Sequence, residues 1–201
     1  MRVTFKDGVL VMVPETDAER EAFAAWRSAK AGHVFALTGA DGALHDIGLR
    51  ADACREPINI NSKAPKPLDL ISNFAATPFE LDGEAYASIE GFWQGLKFGD
   101  LTERRRVAAL SGPEAKDAGG RAPASDLIVY GDELIRAGTW DHWQLMERAC
   151  RAKFGQHEGA RAALLSTGER PLMHQMRRDS RTIPGVVVAQ IWMRIRETLR
   201  G

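Results

Sequence analysis

The sequence predicts an α+β protein that is mainly α, with a small β-β-α-β-β appendage at its N-terminus. Three observations predict this fold class. Asp-Gly turn signals between short apolar runs mark residues 1–58, and a polar loop with two prolines follows at residues 59–69. Beyond this loop, apolar residues recur at helical spacing. We therefore expect an appendage at residues 1–58 and a main domain at residues 59–201.

The appendage is predicted from its turn and capping signals. Its strands fall at four short apolar runs, residues 3–5, 9–13, 34–37 and 44–49. Asp7-Gly8 and Asp41-Gly42 are the tight turns that join each pair. Between the two hairpins, Thr16 and Glu19 have the spacing of a capping box, which opens a helix that runs to about Lys30. We assign no chemistry to these residues.

The main domain is predicted from helix start signals. Ser88 opens a helix that runs to about Phe98, while Thr102 and Pro113 are suited to the starts of the next two. Further helices are expected over residues 140–154 and 158–167, and from Pro184 onward. The fourth and the last of these helices each carry an apolar stripe: Trp143, Met146, Ala149, Cys150 and Phe154, then Val188, Ile191, Trp192, Ile195 and Leu199. Short strands are expected near residues 79–81 and 127–130.

Composition and motifs exclude several classes of function. The chain has 201 residues with 27 basic and 27 acidic ones, so it lacks the basic excess of a DNA-coating protein. It has no apolar run of about 18 residues, and Lys6 and Asp7 stand where a signal peptide would have its apolar core. The distant Cys54 and Cys150 predict neither a disulfide framework nor a zinc ribbon. We expect a cytoplasmic protein without membrane contact, with Cys150 in its core.

Nucleotide, metal and serine-hydrolase motifs are absent from the sequence. It contains no P-loop, no Gly-x-Gly-x-x-Gly after a strand, no His-Glu-x-x-His and no Gly-x-Ser-x-Gly. His142, His157 and His174 lack metal-ligand spacing. We therefore expect no metal and no cofactor.

The helix predicted from Ser88 carries the main candidate site. Glu90, Gln94 and Lys97 stand at i, i+4 and i+7, so they share one helix face. Gly91 and Gly95 weaken the helix, which suggests that something approaches this face closely. The alternative is a solvated Glu–Lys face with glycines for helix packing, although Trp93 favours a pocket. The helix dipole near Glu90 favours the ionised form, which suits a base or a stabiliser of a cation.

A second candidate is the polar segment at residues 174–181. Its three arginines, Arg177, Arg178 and Arg181, surround Asp179. Such a segment is either an anion-binding rim for phosphates or a solvated loop.

An ordered set of sequence blocks resembles the NADAR superfamily, named for an inferred association with NAD and ADP-ribose. The first set of blocks comprises Ser72-Asn73-Phe74-Ala75-Ala76, Pro78, Asp82-Gly83, Ser88, Glu90, Gln94 and Lys97-Phe98. The second set runs from Met146 through Arg151-Ala152-Lys153-Phe154, Gln156-His157, Leu164-Leu165, Thr167 and Leu172 to Asp179. The resemblance covers residues 60 to about 200. This superfamily includes a bacterial N-glycosidase that splits early riboflavin-pathway intermediates.

The resemblance implies a set of site residues. Glu90, Asp179 and Lys97 fall on the family's active-site Glu, Asp and helix lysine, and Ser72-Asn73-Phe74 falls on the signature turn beside the pocket. An active-site Trp corresponds to Trp140 or Trp143. The chain departs from the family at Gly91, where a His is usual. Another departure is Ser180-Arg181-Thr182, which replaces a Trp-Gly.

The resemblance also implies a reaction, hydrolysis of a ribosyl C–N bond. The favoured substrate is ADP-ribose attached to a guanine-type base. This class of substrate includes ADP-ribosylated nucleic acid. The alternatives are a riboflavin-pathway ribosylamino-pyrimidine phosphate and a non-catalytic module that binds ADP-ribose or NAD. Asp179 would orient water or ribose hydroxyls, while Lys97 would hold a phosphate, protonate the leaving base or form a Schiff base with a ring-opened ribose. The predicted substrate-binding residues are Ser72, Asn73, Phe74, Trp93, Gln94, Trp143, Arg177, Arg181 and Lys63.

Overall fold

The computed structural model describes residues 1–6, 9–30, 33–38, 43–50, 57–176 and 180–200. The chain divides into two compact units, residues 1–52 and 53–201. The sequence places this boundary after residue 58. Asp7-Gly8, Asp41-Gly42 and Cys54 lie outside the described residues.

The first unit has the predicted β-β-α-β-β order. Strands β1 (Arg2–Lys6) and β2 (Val9–Val13) pair antiparallel, and so do β3 (His33–Thr38) and β4 (Ala43–Arg50). Helix α1 (Asp17–Lys30) lies between the two pairs in the chain. The capping box is confirmed, because Glu19 N–H donates to Thr16 Oγ1 and Thr16 N–H donates to Glu19 Oε2, both at 3.2 Å.

The second unit is mainly α, as predicted. Its helices are α2 (Ile89–Gly95), α3 (Leu101–Ala108), α4 (Gly112–Gly119), α5 (Trp140–Gln156), α6 (Glu158–Ser166) and α7 (Gly185–Arg200). Its strands are β5 (Ile58–Asn59), β6 (Phe79–Leu81), β7 (Glu84–Tyr86), β8 (Leu127–Tyr130), β9 (Glu133–Arg136) and β10 (Leu172–Met173). A 3₁₀ turn, Leu68–Ile71, precedes β6.

The strands of the second unit form three short pairs. The predicted strands β6 and β8 are confirmed, and each pairs antiparallel with the strand that follows it. Strands β5 and β10 pair in parallel, with Ile58 opposite Leu172. Two-residue strands are too short to show an alternation of polar and apolar residues, so no sequence pattern predicts this last pair.

The core of the second unit forms where α5 packs against α7. Both predicted apolar stripes are confirmed, because Met146, Cys150, Ile191 and Trp192 are fully or almost fully buried. Cys150 is a core residue, as predicted, and burial raises the pKa of its thiol to about 12. This thiol therefore packs as a small apolar group.

Two predicted helix boundaries need correction. Helix α2 ends at Gly95, not near Phe98, because its last turn tightens: Lys97 N–H donates to Gln94 O at 3.3 Å, an i to i−3 bond. Lys97 therefore lies beyond the helix. Helix α3 starts after Asp100, whose side chain accepts the Glu103 N–H at 2.9 Å.

Within the described residues, none of the helices combines the length and the apolar composition needed to cross a bilayer.

Candidate active site

A cavity of about 340 Å³ opens in the second unit beside the start of α2. Segments that are distant in the sequence converge on it. It is lined by Ser62, Ser72, Asn73, Phe74, Glu90, Trp93, Gln94, Lys116, Met146, His174, Met176, Ser180, Ile183 and Val188. The structure thus brings together five of the predicted substrate-binding residues and the predicted catalytic Glu90.

The start of α2 is fixed by hydrogen bonds to its neighbours. Ser88 is the N-cap, as predicted: its Oγ accepts the Gly91 N–H at 2.8 Å and donates to Leu110 O at 2.9 Å. The next amide, Glu90 N–H, donates to Asn73 O at 2.9 Å. The signature turn and α2 are therefore joined by a backbone hydrogen bond.

Lys153 holds the other side of the signature turn. This α5 residue is fully buried, and its Nζ donates to Ile71 O at 3.2 Å and to Ser72 O at 2.9 Å. Burial lowers the pKa of its amine to about 7. The sequence analysis assigned Lys153 no role, although the residue lies in the block that matches the family.

Glu90 is only 7% exposed at the edge of the cavity. Burial raises its pKa, while the Gln94 amide, Lys116 and Lys97 lower it in part. This direction of the pKa is opposite to the one expected from the helix dipole. A dipole at the end of a seven-residue helix acts weakly against the loss of water around the carboxyl.

The glycines of α2 serve helix packing. A Cβ on Gly91 would lie 2.5 Å from Leu110 O and 2.9 Å from Ala108 O, and one on Gly95 would lie 3.3 Å from Arg104 O. The expected close approach is confirmed, and the backbone at and after α3 makes it. The glycines therefore serve helix packing, whereas the solvated face of the same alternative is wrong, because Glu90 and Gln94 are buried.

Trp93 separates the first cavity from a second one of about 300 Å³. Its indole is 7% exposed and stacks on the His142 ring, with centroids 4.0 Å apart. Burial lowers the pKa of His142 to about 4, so this ring is neutral near pH 7. One face of the Trp93 indole is therefore covered by protein.

Lys97 lines the second cavity, together with His142 and small residues that include Gly119, Gly120 and Ala122. Lys97 is an exposed residue. Desolvation of the amine lowers the pKa of Lys97, and the nearby Glu90 opposes this effect. The sequence predicts Lys97 on the same helix face as Glu90. Because α2 ends at Gly95, Lys97 lies beyond the helix and lines the second cavity instead.

Several predicted residues lie away from the first cavity. Trp143 donates its indole N–H to Thr182 O at 2.8 Å, and its neighbour Trp140 is exposed. Lys63 and Arg181 are exposed and line neither cavity. The predicted residues Asp179, Arg177 and Arg178 lie outside the described residues.

The sequence analysis assigned no role of their own to two ionisable residues that line the first cavity. Lys116, on α4, holds its ammonium 5.6 Å from the centre of the Phe74 ring. His174 lies 2.8 Å from Ile60 O, and because a carbonyl only accepts, its Nδ1 carries the proton. No local pattern marks Lys116, whereas His174 begins the polar segment already noted.

No group of three or more His, Cys, Asp or Glu side chains in the described part of the chain is placed to hold a metal ion.

Comparison with known sequences identifies the family to which this fold and this site belong. Residues 67–194 match the family of bacteriophage protein GP30.3, and the chain belongs to this family. The matched residues all lie in the second unit. Together with the relatives below, this match confirms the resemblance to the NADAR superfamily.

Two similar proteins illustrate the range of the family. One is the N-glycosidase YbiA of Escherichia coli K12, 32% identical over 109 residues, which are 54% of this chain. The chain spans 64% of that enzyme's length. The other is an uncharacterized 17.1 kDa protein in the Gp30-rIII intergenic region of Enterobacteria phage T4. It is 40% identical over 124 residues, 59% of this chain and 80% of the phage protein.

A solved structure supports the same fold. The NMR structure of the E. coli protein YbiA superposes with a TM-score of 0.53 at 28% sequence identity. The superposition covers 73% of this chain and 86% of YbiA. The predicted α+β class is confirmed.

Proposed function

We propose that the second unit is an N-glycosidase that hydrolyses a ribosyl C–N bond. The observation that carries this proposal is the buried Glu90 carboxyl at the edge of the first cavity. The volume of about 340 Å³ lies within the range of small-molecule sites, roughly 300–1,000 Å³. The name of the E. coli relative, N-glycosidase, supports the same reaction class.

Glu90 is suited to give a proton to the leaving base. Because burial raises its pKa, the carboxyl keeps its proton at higher pH than an exposed glutamate does. The C–N bond breaks with its electron pair on the base nitrogen, which takes the Glu90 proton. The carboxylate that remains stabilises the cationic ribosyl group until water adds at C1′. The proton of this water passes to a second base, for which we propose Asp179, since the resemblance implies that this residue orients water or the ribose hydroxyls.

Lys116 and Lys97 are suited to the anionic part of the substrate. Both lower the pKa of Glu90, so both lie near enough to act on charges at the cavity. We assign Lys116 to a phosphate, because it lines the first cavity. Borohydride added during turnover decides between the roles of Lys97. A sugar adduct trapped at Lys97 would assign the Schiff base, and absence of an adduct would mean that Lys97 acts without a covalent bond to the sugar.

Within this reaction class, we propose ADP-ribose on a guanine-type base as the substrate. A diphosphate needs several cations. Lys116 lines the first cavity, Lys97 lies near enough to Glu90 to lower its pKa, and Arg181 belongs to the polar segment for which the sequence predicts a phosphate-binding rim. The second candidate is a riboflavin-pathway ribosylamino-pyrimidine phosphate. The modest volume of the first cavity favours this smaller ligand.

A substrate panel tests both candidates. The panel contains an oligonucleotide with ADP-ribosylated guanine, free ADP-ribosylated nucleosides and a ribosylamino-pyrimidine phosphate. Mass spectrometry follows the release of base, with Glu90→Gln as the blank. We expect release from the ADP-ribosylated guanine. Release from the pyrimidine alone would make the smaller substrate the right one. Binding of ADP-ribose without release from any member would make the protein a non-catalytic reader.

A further inference from the structure

We propose that Gln94 is a positioning residue for the Glu90 carboxyl. The absence of a side chain at Gly119 leaves the space in which Gln94 reaches this carboxyl. The effect on rate rests on the proposed function. The effect on Glu90 itself does not depend on turnover.

Gln94 contacts Glu90 directly. Both residues lie on α2, four positions apart, and Gln94 Nε2 donates to Glu90 Oε1 at 2.8 Å. Each side chain is more than nine-tenths buried. A hydrogen bond donated to a carboxylate favours the charged form, so Gln94 acts against the burial that favours the neutral form.

Gly119 leaves the space that the Gln94 side chain fills. A Cβ at position 119 would lie 2.0 Å from Gln94 Oε1, 2.6 Å from its Cβ and 2.7 Å from its Cδ. These three are the nearest atoms, and all belong to Gln94. Ala would clash with the side chain at every one of these points, and a displaced amide would lose its bond to Glu90.

The backbone gives no other reason for a glycine at this position. Gly119 ends helix α4 and does not have the positive φ that favours glycine. Glycine in a helix is disfavoured relative to alanine. Glycine at position 119 therefore makes room for Gln94, and the local backbone conformation does not require it.

The orientation of the Gln94 amide follows from the same contacts. Oε1 is buried and finds no hydrogen-bond donor in the described residues, while Nε2 faces the carboxylate. An ionised Glu90 only accepts hydrogen bonds, so it selects the amide orientation that presents Nε2. The unpaired Oε1 lies against Gly119, where a small residue keeps the fit tight.

The experiment measures the titration of Glu90 in the full chain by ¹³C NMR with labelled glutamate. Glu90→Gln identifies the resonance. We expect Gln94→Met to move the titration midpoint to higher pH by about one unit, because a hydrogen bond to a charged group is lost. Gly119→Ala should move it in the same direction. Gly155→Ala is the matched control, since a Cβ on that exposed α5 residue meets no atom within 4 Å.

A double-variant cycle tests whether Gly119 acts through Gln94. In a Gln94→Gly background, Gly119→Ala should not shift the Glu90 midpoint further. If Gly119→Ala alone fails to fold, Gln94→Gly removes every contacting atom and should restore folding. An unchanged midpoint in Gln94→Met, or absence of that rescue, would overturn the proposal.

The pH–rate profile separates this proposal from the proposed function. If Glu90 donates a proton, activity falls as pH rises through its midpoint, and Gln94→Met moves this limb to higher pH. Turnover with no shift in either measurement contradicts the positioning role alone. A shift by NMR without any turnover contradicts the proposed function alone.

Discussion

The two walls of the first cavity differ in how the rest of the protein holds them. We call the signature turn, Glu90 and Gln94 the inner wall, and His174, Met176 and Ser180 the outer wall. Asn73, Glu90 and Gln94 are each 7–8% exposed and joined to one another or to neighbouring elements by hydrogen bonds. Met176 on the outer wall is 40% exposed.

The outer wall is anchored at its two ends. At one end, the Asn59 side chain donates to Gln175 O at 3.2 Å and accepts the Gln175 N–H at 2.9 Å. At the other end, the Trp143 indole N–H donates a hydrogen bond to Thr182 O. Between them lie residues 177–179, outside the described residues. We propose that the inner wall carries the chemistry, and that the outer wall together with Lys116 and Arg181 selects the ligand. The predictions below test this division.

The largest effect is expected at the inner wall, for Glu90→Gln. This change keeps the shape of the side chain and removes its ability to transfer a proton, so the rate should fall at least about a hundredfold. Single-turnover assays on the substrate panel measure it, with the melting temperature as the control for folding. A rate close to wild type in a normally folded variant would show that Glu90 takes no part in the reaction.

A smaller effect on binding is expected from Lys116→Met. Loss of one charge-assisted contact to a phosphate should raise KM roughly tenfold and change kcat little. The matched control is Lys66→Met, which removes the same charge from an exposed residue that lines neither cavity. Equal KM values in the two variants would show that Lys116 does not bind the substrate.

Arg181→Ala tests the exposed neighbour of the outer wall. Because an exposed arginine is screened by solvent, we expect an effect of only about two- to fivefold. The loss should be greater for ADP-ribose than for a ligand with a single phosphate. Calorimetric titration of both ligands measures the difference, and equal losses would show that Arg181 does not distinguish the second phosphate.

The smallest effect concerns stability and pH. Burial raises the pKa of Glu90 in the folded state, so the stability linked to its proton is fully present below the unfolded pKa and is lost as pH rises through the folded pKa. Gln does not ionise and escapes this loss. The melting temperature of Glu90→Gln relative to wild type should therefore increase between pH 4 and pH 8, as scanning calorimetry can measure. If the difference in melting temperature stays constant across that range, ionisation of Glu90 does not destabilise the folded state.

The sequence by itself determined the local elements. The capping box of Thr16 and Glu19, the cap at Ser88 and the stripes of α5 and α7 all depend on residues three or four positions apart, whose hydrogen bonds and packing follow from helix geometry. The same spacing predicted that Glu90 and Gln94 share a face. The family blocks added the signature turn, which the structure brings to the same cavity.

Only the tertiary structure decided the chemistry of the cavity. The direction of the Glu90 pKa depends on how much water other elements remove, and the roles of Gly91, Lys116, Lys153 and Gly119 depend on α3, α4 and α5 packing against α2 and the turn before it. Such contacts join residues from separate elements, in places dozens of positions apart in the chain. Capping and helical periodicity act over a few residues, whereas desolvation and steric fit are set by whichever segments the fold brings together.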